Sequence, residues 1–423
     1  MKLNKFKIDL LWNVLSFVIS ALLGIYMNSF IIKQYDISVL GVFNQNYALY
    51  LFLSQIAVGG VHLAVQRYIP EESDLQTSNA ILFSALIIST CISLIVISIS
   101  YIFKSIPGIL MKSDGVKYGF QYVIPGLLFF SYNKILLAYI NGKRMMKLYA
   151  VLYLLRFVFM IGFAIALTVL KVESYSLCIL LTLAELFLFI ITFIILFRQI
   201  KIVLWTEVKK WIKKNRDFGS KAMLGNILFD ANTKVDILLI GVFLSDTSAG
   251  IYSFAALLVE GFAQLPVIFR NNLNPIITRC YSNKSIDVMN KVVKMNLKKL
   301  YKVLAILGFL SIASFPLILI ILNVKEFLFE MWSVYAILVF GIIMTGGYQP
   351  FSMFFNQIGL PATQTRLIFA WTLVNVLLNL LFIPFLGIYG SAIGTAIANI
   401  TLPIYLTKVA HKKKGVVFQL SIK

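Results

Sequence analysis

Acid is scarce in this sequence: 17 aspartates and glutamates stand against 38 lysines and arginines, a net charge of +21 over 423 residues. Histidine is scarcer, with only His62 and His411, which leaves little for acid–base catalysis. Cys91, Cys178 and Cys280 form an odd, scattered set without metal-ligand spacing, so neither a zinc site nor a disulfide framework is expected. No P-loop pattern is present, which argues against an ATP-driven pump. Charged residues of both signs reach only 13%, where a soluble domain carries about 25%.

What the chain has instead is apolar length. It is 60% hydrophobic, with a mean hydropathy of +0.89. Runs of about 18 or more apolar residues recur from end to end, the pattern of a polytopic helical membrane protein. A β-barrel is excluded because its strands would alternate apolar and polar residues. The runs divide into twelve expected spans, near residues 10–31, 39–66, 79–103, 118–140, 148–170, 175–197, 219–244, 250–275, 300–323, 331–355, 364–384 and 387–407. The first follows Lys2, Lys5 and Lys7 but is too long for a signal peptide, and reads as a retained anchor.

The basic residues orient these spans. With both termini in the cytoplasm, 29 lysines and arginines fall on the inner side and six on the outer, as the positive-inside rule requires. The same bias accounts for the +21 without nucleic acid. Between spans six and seven, Leu204, Val208, Trp211 and Ile212 share one helical face with Lys209, Lys210, Lys213 and Lys214 largely opposite. This stretch is expected to be a plain charged connector or an amphipathic helix on the inner leaflet. The domain organisation is therefore an N-terminal six-helix lobe at 1–197, a basic linker at 198–218, a C-terminal six-helix lobe at 219–407 and a basic tail at 408–423. The halves echo one another. Asp36-Ile-Ser-Val-Leu-Gly41-Val-Phe precedes span two, and Asp246-Thr-Ser-Ala-Gly250-Ile-Tyr precedes span eight. Six spans per half leaves the two copies facing the same way.

Charges within the spans are functional candidates by default, since each costs about 2.5–3.5 kcal/mol at the bilayer centre. Arg156, Glu185, Asp230, Lys234 and Glu260 fall near the midplane, with Lys134 and Asp236 off centre. Asp230 and Lys234 are spaced to pair on one face, as a switchable or a structural pair. Arg156 and Lys134 have no acidic neighbour in sequence; they bind an anionic group, or pair with Glu185 or another helix. Glu260, Asp230, Asp236 and Glu185 are the candidates for ion coupling. Asn13, Asn44, Asn46 and Gln55, with Ser16 and Ser20, make polar faces in spans one and two that line a sugar-binding cleft or join helices. Gly59-Gly60, Pro125, Pro266, Pro316 and Gly346-Gly347 mark expected bends, and Gly390-Ser-Ala-Ile-Gly394 a close helix contact.

Leu40-Gly41-Val42-Phe43, Asp236 followed by Gly250-Ile251-Tyr252, and Gly387-Ile-Tyr-Gly390-Ser-Ala-Ile-Gly394-Thr-Ala, in that order over twelve spans, resemble the Wzx-like polysaccharide-export flippases. These are a branch of the multidrug/oligosaccharidyl-lipid/polysaccharide exporter superfamily. The resemblance implies an all-α fold of about twelve transmembrane helices in two six-helix lobes around a central cleft. It implies a bacterial plasma-membrane transporter without cofactor or metal, not an enzyme. The implied cargo is an undecaprenyl-diphosphate-linked glycan for capsule, O-antigen or exopolysaccharide. Membrane lipids are its surroundings, polysaccharide polymerases and glycosyltransferases its expected functional partners, and a monomer its expected state. The substrate-binding set is then Arg156, Lys134, Lys234, Asp230, Asn44, Asn46, Gln55 and Asn13. A cation-coupled multidrug exporter of the same superfamily is the alternative, weakened by the absence of an acid within span one. A membrane-embedded polymerase or acyltransferase is a further alternative, disfavoured by short outer loops without histidine.

Overall fold

The computed structural model describes residues 3–72, 74–197, 203–414 and 416–418; within these the side chains at 3–7, 9–10, 226, 229–231, 271–272, 275, 361 and 413–414 lie outside the description. The described residues are almost entirely helical, with no strand among them. Eight helices are long and apolar enough to cross a membrane, and ten segments qualify when each of two bent pairs is taken as one span. Division of the Ala362–Ala410 segment at Gly387, together with the helix at Trp205–Phe243, makes twelve, one for each expected span.

The chain forms two compact units, Met1–Ala231 with Ser245–Thr247, and Asn232–Leu244 with Ser248–Lys423. In the first unit, helix α1 (Leu3–Gln34) leads to α2 (Ile37–Val58), capped by Asp36, whose side chain accepts the Val39 N–H at 2.8 Å. At Gly59 and Gly60 the backbone enters the left-handed region (φ 62° and 69°), and α3 (Val61–Tyr68) departs at 59°. Only glycine suits Gly60 on two counts: its φ, and the backbone oxygen of Gly219, which a Cβ would meet at 2.4 Å. After α4 (Leu75–Ile102) and the short α5 (Ile106–Met111), α6 (Asp114–Val123) and α7 (Gly126–Gly142) form the second bent pair, at 50° around Pro125. Hydroxyls satisfy carbonyls near this break: Tyr50 donates to Gly126 O at 3.2 Å and Thr182 to Tyr122 O at 2.6 Å, as an apolar surround demands. Helices α8 (Met146–Val169) and α9 (Ile179–Phe197) follow.

Helix α10 (Trp205–Phe243) is unbroken, so the described part of the expected linker is the first half of a helix that continues into span seven. Its Val208 and Trp211 are buried, and Trp211 packs on Tyr68 within a core built from α3, α4, α7 and α9. The apolar face expected to lie on the leaflet is thus partly used inside the protein, while Leu204 stays exposed.

In the second unit, α11 (Asp246–Ser282) and α12 (Ile286–Ile321) have 37 and 36 residues, about 55 Å each at 1.5 Å per residue. The polar 276–299 stretch is therefore mostly helix that outruns ~30 Å of hydrocarbon. After α13 (Leu328–Thr345) and α14 (Phe354–Gln357), α15 (Pro361–Ala398) reverses at Gly387 (φ 59°, ψ −139°). A Cβ at Gly390 would meet Phe382 O at 2.3 Å and one at Gly394 would meet Asn379 N at 3.3 Å, so the two arms run antiparallel in close contact. The Gly390–Gly394 spacing serves that packing. The basic tail is anchored: Val416 and Phe418 are buried, Phe418 packs edge-on against Phe351 and Phe354, and Val417 N–H donates to Asn290 Oδ1 at 3.0 Å.

Candidate functional site

Each unit holds charged side chains gathered with polar partners. In the first unit they gather at a pocket of about 290 Å³, lined by His62 and Gln66 of α3, Phe130, Lys134 and Asn141 of α7, and Tyr149, Tyr153 and Arg156 of α8. The bends create it: the break at Gly59-Gly60 turns α3 toward α7, and the break at Pro125 sets the start of α7.

Arg156 pairs with Glu185 of α9, Nε to Oε1 at 2.7 Å, and its guanidinium lies 5.3 Å over the Phe130 ring. Glu185 is buried and also accepts from Asn133 Nδ2 at 2.7 Å. The pair neutralises itself, and the positive charge of the pocket is that of Lys134. Lys134 donates to the neutral Gln55 Oε1 and lies 5.7 Å over Phe130. Arg156 with five N–H donors and Lys134 with three both line the pocket, and the two can present a cationic, hydrogen-bonding wall to an anionic oxygen.

Asn44, Asn46 and Asn13 do not line this pocket. Asn44 donates to Asn28 Oδ1 at 3.1 Å, which joins α2 to α1. Asn46 is fully buried, donates to Val42 O at 3.0 Å and packs where a Cβ on Gly119 would fall. Asn13 is half-buried on α1. Of this set only Lys134 and Arg156 line the pocket, with Gln55 held behind Lys134.

In the second unit, Lys234 pairs with Glu260 of α11, not through a described contact with Asp230, whose side chain lies outside the described residues. Two residues on, Asp236 is buried and collects four donors from three helical segments. Oδ1 accepts from Asn375 Nδ2 at 3.1 Å and Asn379 Nδ2 at 3.2 Å; Oδ2 accepts from Tyr252 OH at 2.9 Å and Thr395 Oγ1 at 2.8 Å. Ser391 closes the network on Asn379 Oδ1 at 2.6 Å. The antiparallel hairpin at Gly387 makes this convergence possible, because it sets Asn375 and Asn379 of one arm against Thr395 and Ser391 of the other. No ion pair to Asp236 occurs among the described residues. Hydrogen bonds from neutral groups offset only part of the cost of a buried carboxylate, and a proton or a small hard cation would supply the missing positive charge. The hydroxyl oxygens of Tyr252 and Thr395 lie against it, while Asn375 and Asn379 present their amide nitrogens. No group of three or more His, Cys, Asp or Glu side chains able to hold a metal occurs among the described residues.

The sequence pointed to Asp236 but not to its companions. The available signal was the i,i+4 spacing of Asn375 with Asn379 and of Ser391 with Thr395, two polar pairs in otherwise apolar spans. His62 carried no such signal.

Comparison with solved structures identifies the fold. The lipid II flippase MurJ in an inward closed conformation superposes with a TM-score of 0.74 at 18% identity, covering 94% of this chain and 86% of that one. An inward-facing multidrug resistance MATE transporter of the MOP superfamily gives 0.72 at 13% identity, covering 91% and 92%. A MOP-superfamily transporter from Pyrococcus furiosus gives 0.64 at 13%, covering 96% and 95%. At these identities the likeness shows the fold, an all-α transporter fold shared with both flippases and drug exporters. No curated protein matches the sequence. Residues 8–280 match the model of the family described as "Polysaccharide biosynthesis protein", and with more than half its length in that match the chain belongs to this family.

Proposed function

We propose that the protein is a flippase that moves undecaprenyl-diphosphate-linked oligosaccharide units from the inner to the outer leaflet by alternating access. It serves assembly of capsule, O-antigen or exopolysaccharide in a bacterial plasma membrane, with both termini cytoplasmic. The observation that carries this reading is the polysaccharide-biosynthesis family match on a chain with a transporter fold. The charge pattern supports it: the first unit's pocket is cationic, as a diphosphate requires. Lys134 and Arg156 are the residues assigned to the anionic group. Asp236 and Glu260 are assigned to coupling by a proton or monovalent cation. With a negative interior, each negative charge moved outward is favoured by about 2.3 kcal/mol per 100 mV, so the membrane potential assists.

A cation-coupled multidrug exporter is the second reading, favoured by the likeness to MATE transporters. Deletion of the gene in its host separates the two. The flippase reading expects lost surface polysaccharide with unchanged drug tolerance; drug sensitivity with intact polysaccharide would overturn it.

A further inference from the structure

His62 is the one histidine of the membrane spans, and neither the pairing network nor the charge pattern above uses it. It is 7% exposed, lines the first unit's pocket, and its Nδ1 has no hydrogen-bond partner among the described residues. A buried imidazole nitrogen without a partner is uncommon, since such groups are nearly always satisfied. Whichever tautomer the neutral ring adopts, Nδ1 has no partner among the described residues, and the ring nitrogen that carries no hydrogen can still take a proton. The pocket around it is built for an anion. Lys134 of α7 and Arg156 of α8 line the same wall.

We infer that His62 takes up a proton from solvent when a phosphate-type anion enters this pocket, so that anion binding and protonation are coupled. This inference rests on the flippase reading and names how its cationic pocket responds to the cargo's diphosphate. An anionic oxygen close to the ring favours the imidazolium, and both ring nitrogens then donate, one of them filling the Nδ1 vacancy. The charge balance agrees. Arg156 is already matched by Glu185, so a diphosphate brings more negative charge than Lys134 alone offsets, and imidazolium adds a second net positive charge. The other ionisable groups near His62 are of other kinds. On its own helix α3 presents Gln66 and Arg67; α7 presents Lys134; α8 presents Tyr149, Tyr153 and Arg156, with Glu185 of α9 held behind Arg156. Tyr50 of the adjoining α2 packs on Phe130 of the pocket, and α10 meets the start of α3 through Gly219 and Met223, with Lys221 between them in sequence. Only an imidazole has an ordinary value between pH 5 and 8.

Coupling is reciprocal: the factor by which the anion raises the proton affinity of His62 is the factor by which protonation tightens the anion. The test uses the full chain in phosphatidylcholine nanodiscs with inorganic pyrophosphate as probe. Two histidines give four imidazole ¹⁵N signals, two per ring, with exposed His411 as internal reference. The expected result is that pyrophosphate moves the His62 titration up by at least one pH unit and leaves His411 unmoved. Because pyrophosphate loses a proton of its own in this range, affinity is read as the ratio of the unaltered protein to His62→Gln at each pH, and that ratio should be several-fold higher at pH 6 than at pH 8. A ratio equal at both pH values, an unmoved His62 signal, or no binding would overturn the inference. The ratio is taken only with His62→Gln protein that elutes and melts like the parent. Flipping of labelled lipid-linked glycan is measured alongside on the unaltered protein. Flipping without proton-linked binding removes His62 alone, whereas no flipping removes the flippase reading itself.

Discussion

At the scale of single residues, buried charges sort by partner. Arg156 and Glu185 satisfy each other, with Asn133 completing the carboxylate. Removal of one member leaves the other as an uncompensated buried charge, which costs about 3–5 kcal/mol, while replacement of both by apolar residues of similar volume is often nearly neutral. Glu185→Ala is therefore expected to lower the melting temperature in detergent sharply, and Arg156→Met with Glu185→Leu to recover most of the loss. A smaller pH effect is expected outside the spans. Partial burial would push the Asp36 carboxyl up, but the Ser38 hydroxyl and the Val39 and Ser38 N–H groups outweigh it and hold it below its ordinary value. The cap's contribution is thus present above the ordinary carboxylate range and lost as pH falls through that lowered value. Asp36→Ala should cost about 1 kcal/mol at neutral pH, with the difference from the parent vanishing in acid. Some of these pairings were legible in sequence and some were not. Asp230 and Lys234 invite pairing because four residues make one helical turn; the Asp230 side chain lies outside the described residues, and among those described Lys234 reaches Glu260, 26 residues on. Helix spacing reports neighbours on one helix and is silent about the next.

At the scale of elements, the bends at Gly59-Gly60 and Pro125 shape the pocket, and both dipeptides were readable because glycine and proline break helices for stated reasons. The partner of the first bend was not readable: Gly219 of α10 lies against Gly60 with no room for a Cβ on either. Gly60→Ala is expected to lose about 1–2 kcal/mol from its left-handed backbone alone, with a further loss from the clash. A melt of Gly60→Ala matching the parent would contradict the close approach. The continuity of α10 escaped sequence reading as well. Its basic first half is polar enough to resemble a linker, and only the burial of Val208 and Trp211 against the first unit shows otherwise. The hairpin at Gly387 was legible as two spans, because ~20 apolar residues suffice for each, while its consequence, four polar side chains interlocked across the turn, was not.

At the scale of the molecule, each unit has its own electrostatic character. The first keeps a cationic pocket around Lys134, and the second a buried carboxylate, Asp236, ringed by neutral donors. Composition made the membrane class plain, and the repeat of Asp36-…-Gly41 at Asp246-…-Gly250 suggested two halves. The copies have diverged in use: Asp36 caps α2, whereas Asp246 accepts from Gln45 at 2.7 Å and Ser113 at 2.6 Å within the first unit. If Asp236 couples transport to a proton or cation, Asp236→Asn, which keeps the shape and removes the charge, should abolish the response of transport rate to an imposed pH or sodium gradient. A response retained in full would exclude Asp236. The central claim is tested most directly by leaflet accessibility of a labelled undecaprenyl-diphosphate glycan in proteoliposomes. The account predicts that the protein speeds equilibration between leaflets over empty vesicles, and that charge reversal at Lys134 and Arg156 abolishes the gain. Equilibration no faster than in empty vesicles, with protein shown to be folded and inserted, would contradict it.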